Sequence, residues 1–115
     1  MSNFTIQNEK EAWQQKRLLE EMQDKDKAAL MALLDSPSGR WFLMRLFDRC
    51  YLFSDTFTGN SKTFQLEGMR KVALLYLQDI TQLGLEAVEL KQQAECEYIK
   101  AQEEFVRLIR KEDEL

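Results

Sequence analysis

Ser36-Pro37-Ser38-Gly39-Arg40-Trp41-Phe42-Leu43-Met44-Arg45-Leu46-Phe47-Asp48-Arg49-Cys50-Tyr51 holds the clearest boundary and a strong helical period of the chain. Pro37 disfavours helix at Ser36 and suits the first position of a new helix, where its missing N–H costs nothing. The new helix is expected over about 37–52. Leu43, Leu46, Phe47, Cys50 and Tyr51 fall at i, i+3, i+4, i+7 and i+8, so they share one face. Trp41, Phe42 and Met44 widen that face, and Arg40, Arg45, Asp48 and Arg49 are its polar complement.

Downstream, residues 53–60 read as the one real loop, because Gly59-Asn60 is a turn signal and both residues tolerate positive φ. Asn60 or Ser61 can cap the next helix. In it, Met69, Val72, Ala73, Tyr76, Ile80 and Leu83 recur at three- and four-residue steps. A second set, Leu66, Leu74, Leu75 and Leu77, spreads apolar surface over more than half of the helix, which marks it as the expected central helix. Gly84 either breaks the helical run or allows close packing inside one long helix that continues to about 111. Beyond it, Ala87, Ala94, Tyr98, Ala101, Phe105 and Leu108 form a narrow coiled-coil-like stripe with Lys91 as its polar exception. That stripe can dock within the chain or pair between chains.

Upstream, residues 1–8 are polar and uncapped and are expected to form a flexible arm. Residues 9–23 are good helix formers with few apolar anchors: Trp13, Leu18, Leu19 and Met22. Asp24 or Asp26 can cap a fresh turn or sit inside one continuous helix. Residues 27–35 are apolar nearly all round and are expected to be buried. The chain therefore reads as a polar N-terminal arm or helix over 1–26, a helical core over 27–83, and a long amphipathic helix over 84–115. The expected fold is an all-α small helical bundle with an antiparallel central helical hairpin and a long C-terminal helix.

Composition agrees with that reading and removes several functions. One Pro and four Gly in 115 residues leave too few breakers for a many-turned sheet. Histidine is absent, which removes Ser/His and Cys/His nucleophile pairs, most zinc sites, the usual neutral-pH proton shuttle and the histidine-bearing di-metal bundle. No GxxxxGK[ST] or GxGxxG phosphate loop occurs. No catalytic residue, cofactor or metal is expected, and the carboxylates read as solvated helix faces. A net charge of −4 gives no bulk attraction to duplex DNA or an anionic membrane. Arg107, Arg110 and Lys111 are offset by Glu112, Asp113 and Glu114. No signal peptide and no membrane span are expected. The final Glu-Asp-Glu-Leu carries no retention meaning without a signal peptide. Cys50 and Cys96, far apart and without a CxxC partner, are expected to be buried reduced thiols.

Arg40, Glu67 and Arg70 stand out among the polar residues. Glu67 and Arg70 are i and i+3 on one helix. Arg40 and Glu67 are expected to meet if the two helices pack, with Gly68 allowing close backbone approach. Ser38-Gly39-Arg40, Cys50, Phe57-Thr58-Gly59-Asn60, Phe64, Glu67-Gly68-Met69-Arg70 and Leu77, in that order and spacing, resemble the Bbp-nineteen-like small phage domain family of tailed bacteriophages. The resemblance covers about half of the chain, from Leu30 to Leu83. It implies that Gly39, Arg40, Thr58, Gly59, Asn60, Glu67, Gly68 and Arg70 are a fold signature, with Arg40 and Arg70 holding loop 54–60. It also implies a protein made in a bacterial host cytoplasm and often encoded among virion genes. The expected function is a non-enzymatic structural component of a virion near the portal, tail or DNA-ejection assembly. Its expected partners are other virion proteins and further copies of itself, a homo-oligomer. Trp13, Tyr98, Phe105 and Leu108, with Phe4, are candidate contact anchors. The alternatives are a small phage protein that binds a host protein, and a DNA-binding regulator. The acidic balance and the long loop speak against the second, and no sequence-specific nucleic-acid binding is expected.

Overall fold

The computed structural model describes the backbone of residues 3–114 and the side chains of residues 7–114. Among them the chain is all-α, with four helices, α1 (Asn3–Leu34), α2 (Pro37–Arg49), α3 (Lys62–Leu83) and α4 (Leu85–Asp113), of which α2, α3 and α4 pack on one another. It divides into two compact units, residues 1–30 and residues 31–115. No helix among the described residues is long and apolar enough to cross a membrane.

The first unit is the greater part of α1. The arm expected over 1–8 is helical from Asn3 onward, and Asp24 and Asp26 sit inside one continuous helix. No breaker interrupts the stretch, and strong helix formers fill it. Arg17 pairs with Glu20 at 2.9 Å and with Glu21 at 3.0 Å, the spacings at which helical neighbours meet. Trp13, Leu18, Leu19 and Met22 are all more than half exposed. The side chain of Phe4 lies outside the described residues.

In the second unit, α1 ends at Leu34 and Ser36 begins α2 in an extended conformation, φ −126° and ψ 144°. The Ser36 Oγ accepts a hydrogen bond from the Gly39 N–H at 3.0 Å, and Pro37 occupies the first helical turn. This satisfies one of the donors that every helix start leaves orphaned. The helix stops at Arg49 rather than 52. Tyr51 takes φ 62°, its N–H donates to the Asp48 carbonyl, and the Leu52 N–H donates to the Phe47 carbonyl. Those two bonds form a Schellman termination with tyrosine where glycine is usual.

The burial pattern corrects two expectations. Within 27–35 only Leu34 is fully buried, while Ala28, Ala29 and Ala32 are exposed. A run that is apolar all round has one side too many for the neighbours available to it. Likewise α3 is not the central helix. It buries Leu66, Ala73 and Ile80 but leaves Val72, Leu74, Leu75 and Tyr76 exposed. The centre is α4, which packs against both α2 and α3, whereas α2 and α3 touch each other far less.

Gly84 settles how α3 and α4 meet. Its φ of 109° with ψ of −172° lies where side chains are strongly disfavoured, and it separates two helices by a single residue. Ile80 and Ala73 of α3 and Ala87 and Ala94 of α4 are buried on either side of this break, and the two helices pack against each other. With Leu34, Leu43, Met44, Phe47, Leu66 and Tyr98 these residues make the core.

Gly68, by contrast, has nothing within 4 Å of where a Cβ would stand. The close approach expected there does not occur within the chain. Gly68→Ala is therefore expected to raise stability by about 0.5–1 kcal/mol, the helix-interior penalty of glycine. Urea unfolding followed by circular dichroism measures it, and an unchanged or lower midpoint contradicts the assignment.

Candidate functional site

The polar side chains converge on the seam between α2 and α4. Arg40, 7% exposed, sits one turn into α2 and reaches two ways. Its Nε donates to Glu97 Oε1 at 2.7 Å, and its Nη1 donates to the Leu34 carbonyl at 3.0 Å. That carbonyl belongs to the last turn of α1, where acceptors have no helical partner and a cation is favoured. One guanidinium thus ties the end of α1, the start of α2 and the middle of α4.

One turn along α2 lies a second cluster. The Tyr98 hydroxyl donates to Asp48 Oδ2 at 2.6 Å and accepts from Arg45 Nη1 at 3.0 Å. Its ring packs against Trp41 with centroids 5.2 Å apart, and Trp41 meets Phe105 edge-on at 6.2 Å. Burial, reinforced by the hydrogen bond to the Asp48 carboxylate, raises the Tyr98 phenol above its ordinary value of 10.0. The contact with the Tyr98 hydroxyl raises Arg45 in turn.

A phenol whose folded pKa is raised contributes stability that is present below its unfolded pKa and lost as pH rises through the folded one. The thermal midpoint is therefore expected to fall as pH climbs through and beyond about 10. Tyr98→Phe is expected to remove the latest-titrating component of the phenolate absorbance and part of that alkaline loss. A variant with an unchanged absorbance titration contradicts the assignment.

Loop 50–61 is held separately. Thr56 is buried and its hydroxyl donates to Glu67. Thr58 N–H donates to Thr63 Oγ1 at 3.0 Å, and the Thr58 hydroxyl donates to Asn60 Oδ1 at 2.9 Å. Asn60 Oδ1 also accepts from Lys62 N–H at 2.9 Å, so Asn60, and not Ser61, supplies the side-chain cap of α3. Gly59 at φ 76° completes the turn.

These positions redraw the expected cluster. Arg40 does not meet Glu67: it pairs with Glu97, and Glu67 serves Thr56. Arg70 is half-buried and makes no ion pair among the described residues, so Arg40 and Arg70 do not hold the loop. Thr58, Gly59 and Asn60 do shape it. Tyr98 is not a surface anchor but a core residue, 6% exposed. Phe105 and Leu108 are 51% and 44% exposed. Cys96 is exposed and Cys50 half-buried, both as free thiols, which corrects the expected burial of the pair.

Sequence reasoning missed Glu97, Asp48, Thr56 and Thr63. Glu97 flanks Tyr98 on the seam, the place where a charge is poised to cross to a neighbouring helix. Thr56 and Thr63 carry no such signal.

The groove lined by Ile99, Gln102, Glu103, Val106, Arg107 and Arg110 is open surface of α4 itself. Among the described residues no group of three or more His, Cys, Asp or Glu is placed to hold a metal ion. Among the described residues, nineteen large apolar side chains are exposed while ten apolar residues form the core. No family model, curated protein or solved structure matches the chain, so the resemblance noted above rests on the quoted residues alone.

Proposed function

We propose that this protein is a non-enzymatic helical subunit of a tailed-phage virion, seated near the portal, tail or DNA-ejection assembly and held there by docking on other protein chains. The observation that carries the docking is the excess of exposed over buried large apolar side chains. Scattered apolar residues are ordinary on a protein surface, but contiguous apolar helix faces mark interaction sites. Here they run along α3 through Val72, Leu75 and Tyr76, and along the end of α4 through Phe105, Leu108 and Ile109. The virion setting is supported by the resemblance of Ser38–Arg70 to the phage domain family. The test is quantitative mass spectrometry of purified particles of the phage that encodes the chain. A fixed, stoichiometric number of copies per particle is expected, and absence from particles overturns the virion assignment.

A further inference from the structure

The stripe on α4 is used only along part of its length. From Ala94, alternating steps of four and three residues reach Tyr98, Ala101, Phe105, Leu108 and Glu112, the a/d spacing of a coiled coil. Ala94 and Tyr98 are buried within the chain, at 1% and 6% exposure. Phe105, Leu108 and the adjacent Ile109 are about half exposed. The change has a simple cause. Arg40, Arg45, Asp48 and Trp41 of α2 reach Glu97 and Tyr98, whereas Phe105 is met only edge-on by Trp41.

We infer that a second copy of this chain covers the open end of α4, pairing antiparallel about a two-fold axis between Val106 and Arg107. The charges select this occupant. Running α4 against itself with Phe105 opposite Leu108 of the second copy places Glu104 of each chain beside Lys111 of the other. Those are the flanking positions that face each other in antiparallel helix pairs. A parallel pairing would instead set Glu104 beside Ile109 of the other chain and would not bring Glu104 and Lys111 together. Glu104 is drawn to Arg107 of its own helix at present, while Lys111 makes no ion pair among the described residues. Trp41, Phe105, Leu108 and Ile109 each offer on the order of 100 Å², so two copies with their flanks bury about 1,000 Å² in total. That is the lower limit of a specific interface, and it fits a reversible dimer with a micromolar dissociation constant. The inference deepens the docking subunit proposed above, yet its test reads self-association alone, so it stands or falls independently of whether the chain enters a particle.

The test is sedimentation velocity of the full chain over a range of concentrations at low salt. The wild type is expected to pass from monomer to dimer as concentration rises. Lys111→Glu is expected to weaken the dimer about tenfold or more, because it turns two attractive pairs into repulsive ones. Glu104→Lys is expected to do the same. The double variant Glu104→Lys/Lys111→Glu, and an equimolar mixture of the two single variants, are expected to regain wild-type association. That recovery separates a lost contact from a misfolded chain. A wild type that stays monomeric throughout overturns the inference, as does a dimer indifferent to Lys111→Glu or one that neither combination restores.

Discussion

Gly39→Ala is expected to lower stability by about 2–4 kcal/mol and the thermal midpoint by roughly 10–20 °C. A Cβ at Gly39 would overlap the Leu33 carbonyl oxygen and stand 2.7 Å from Ser36 Oγ and 2.8 Å from the Leu33 carbonyl carbon. Backbone cannot rotate away as a flexible side chain does, so the start of α2 must move off the end of α1. The shift also pulls the Gly39 N–H from Ser36 Oγ, a cap worth about 1 kcal/mol. Circular dichroism melting reads the effect. A Gly39→Ala variant that melts within a degree or two of the parent contradicts the tight junction. Gly68→Ala is the matching control, since the same substitution meets open space there.

Arg40→Ala is expected to cost about 2–4 kcal/mol, again a fall of roughly 10 °C or more. Glu97 is partly exposed and can rehydrate. The Leu34 carbonyl loses its side-chain donor at 3.0 Å, and the buried stem of Arg40 leaves a void. Arg40→Lys is expected to recover only part of the loss, because one ammonium group does not reproduce the guanidinium fork that bonds in two directions. Arg70→Ala is expected to stay within about 0.5 kcal/mol of the parent, because the half-buried Arg70 makes no ion pair among the described residues. Equal losses at Arg40 and Arg70 would mean that the junction has been misassigned.

How much of this was legible in the sequence depended on how local each signal is. Ser36-Pro37 marks the start of α2 because capping and proline sterics act within four residues. The seven-residue recurrence of Ala87, Ala94 and Ala101 marks a packed seam for the same reason. Gly84 offered two outcomes, and its positive φ decided for the break. Burial could not be read this way. The segment 27–35 and the face of α3 are rich in apolar residues, but composition does not say how many neighbours a helix will find. Nor does it rank α3 against α4 as the centre. The partner of Arg40 was hidden for a related reason. Glu67 and Glu97 both lie on helices that might have packed against α2, and only the register of α4 places Glu97 there. The knot of Thr56, Thr58 and Thr63 depends on loop geometry that no periodicity reports. Within the loop, Gly59 and Asn60 were readable because their side-chain requirements are local.

The proposed dimer divides the labour along α4: Ala87, Ala94 and Tyr98 complete the chain's own core, and the stretch 99–113 is the part that the second copy would cover. Hydrogen–deuterium exchange of the full chain, in dilute and in concentrated solution, tests it most directly. The predicted result is slow exchange over 87–98 at both concentrations, with fast exchange over 99–113 in dilute solution that slows as concentration rises. Equal protection of both stretches in dilute solution would contradict it, as would an end of α4 that exchanges fast at every concentration.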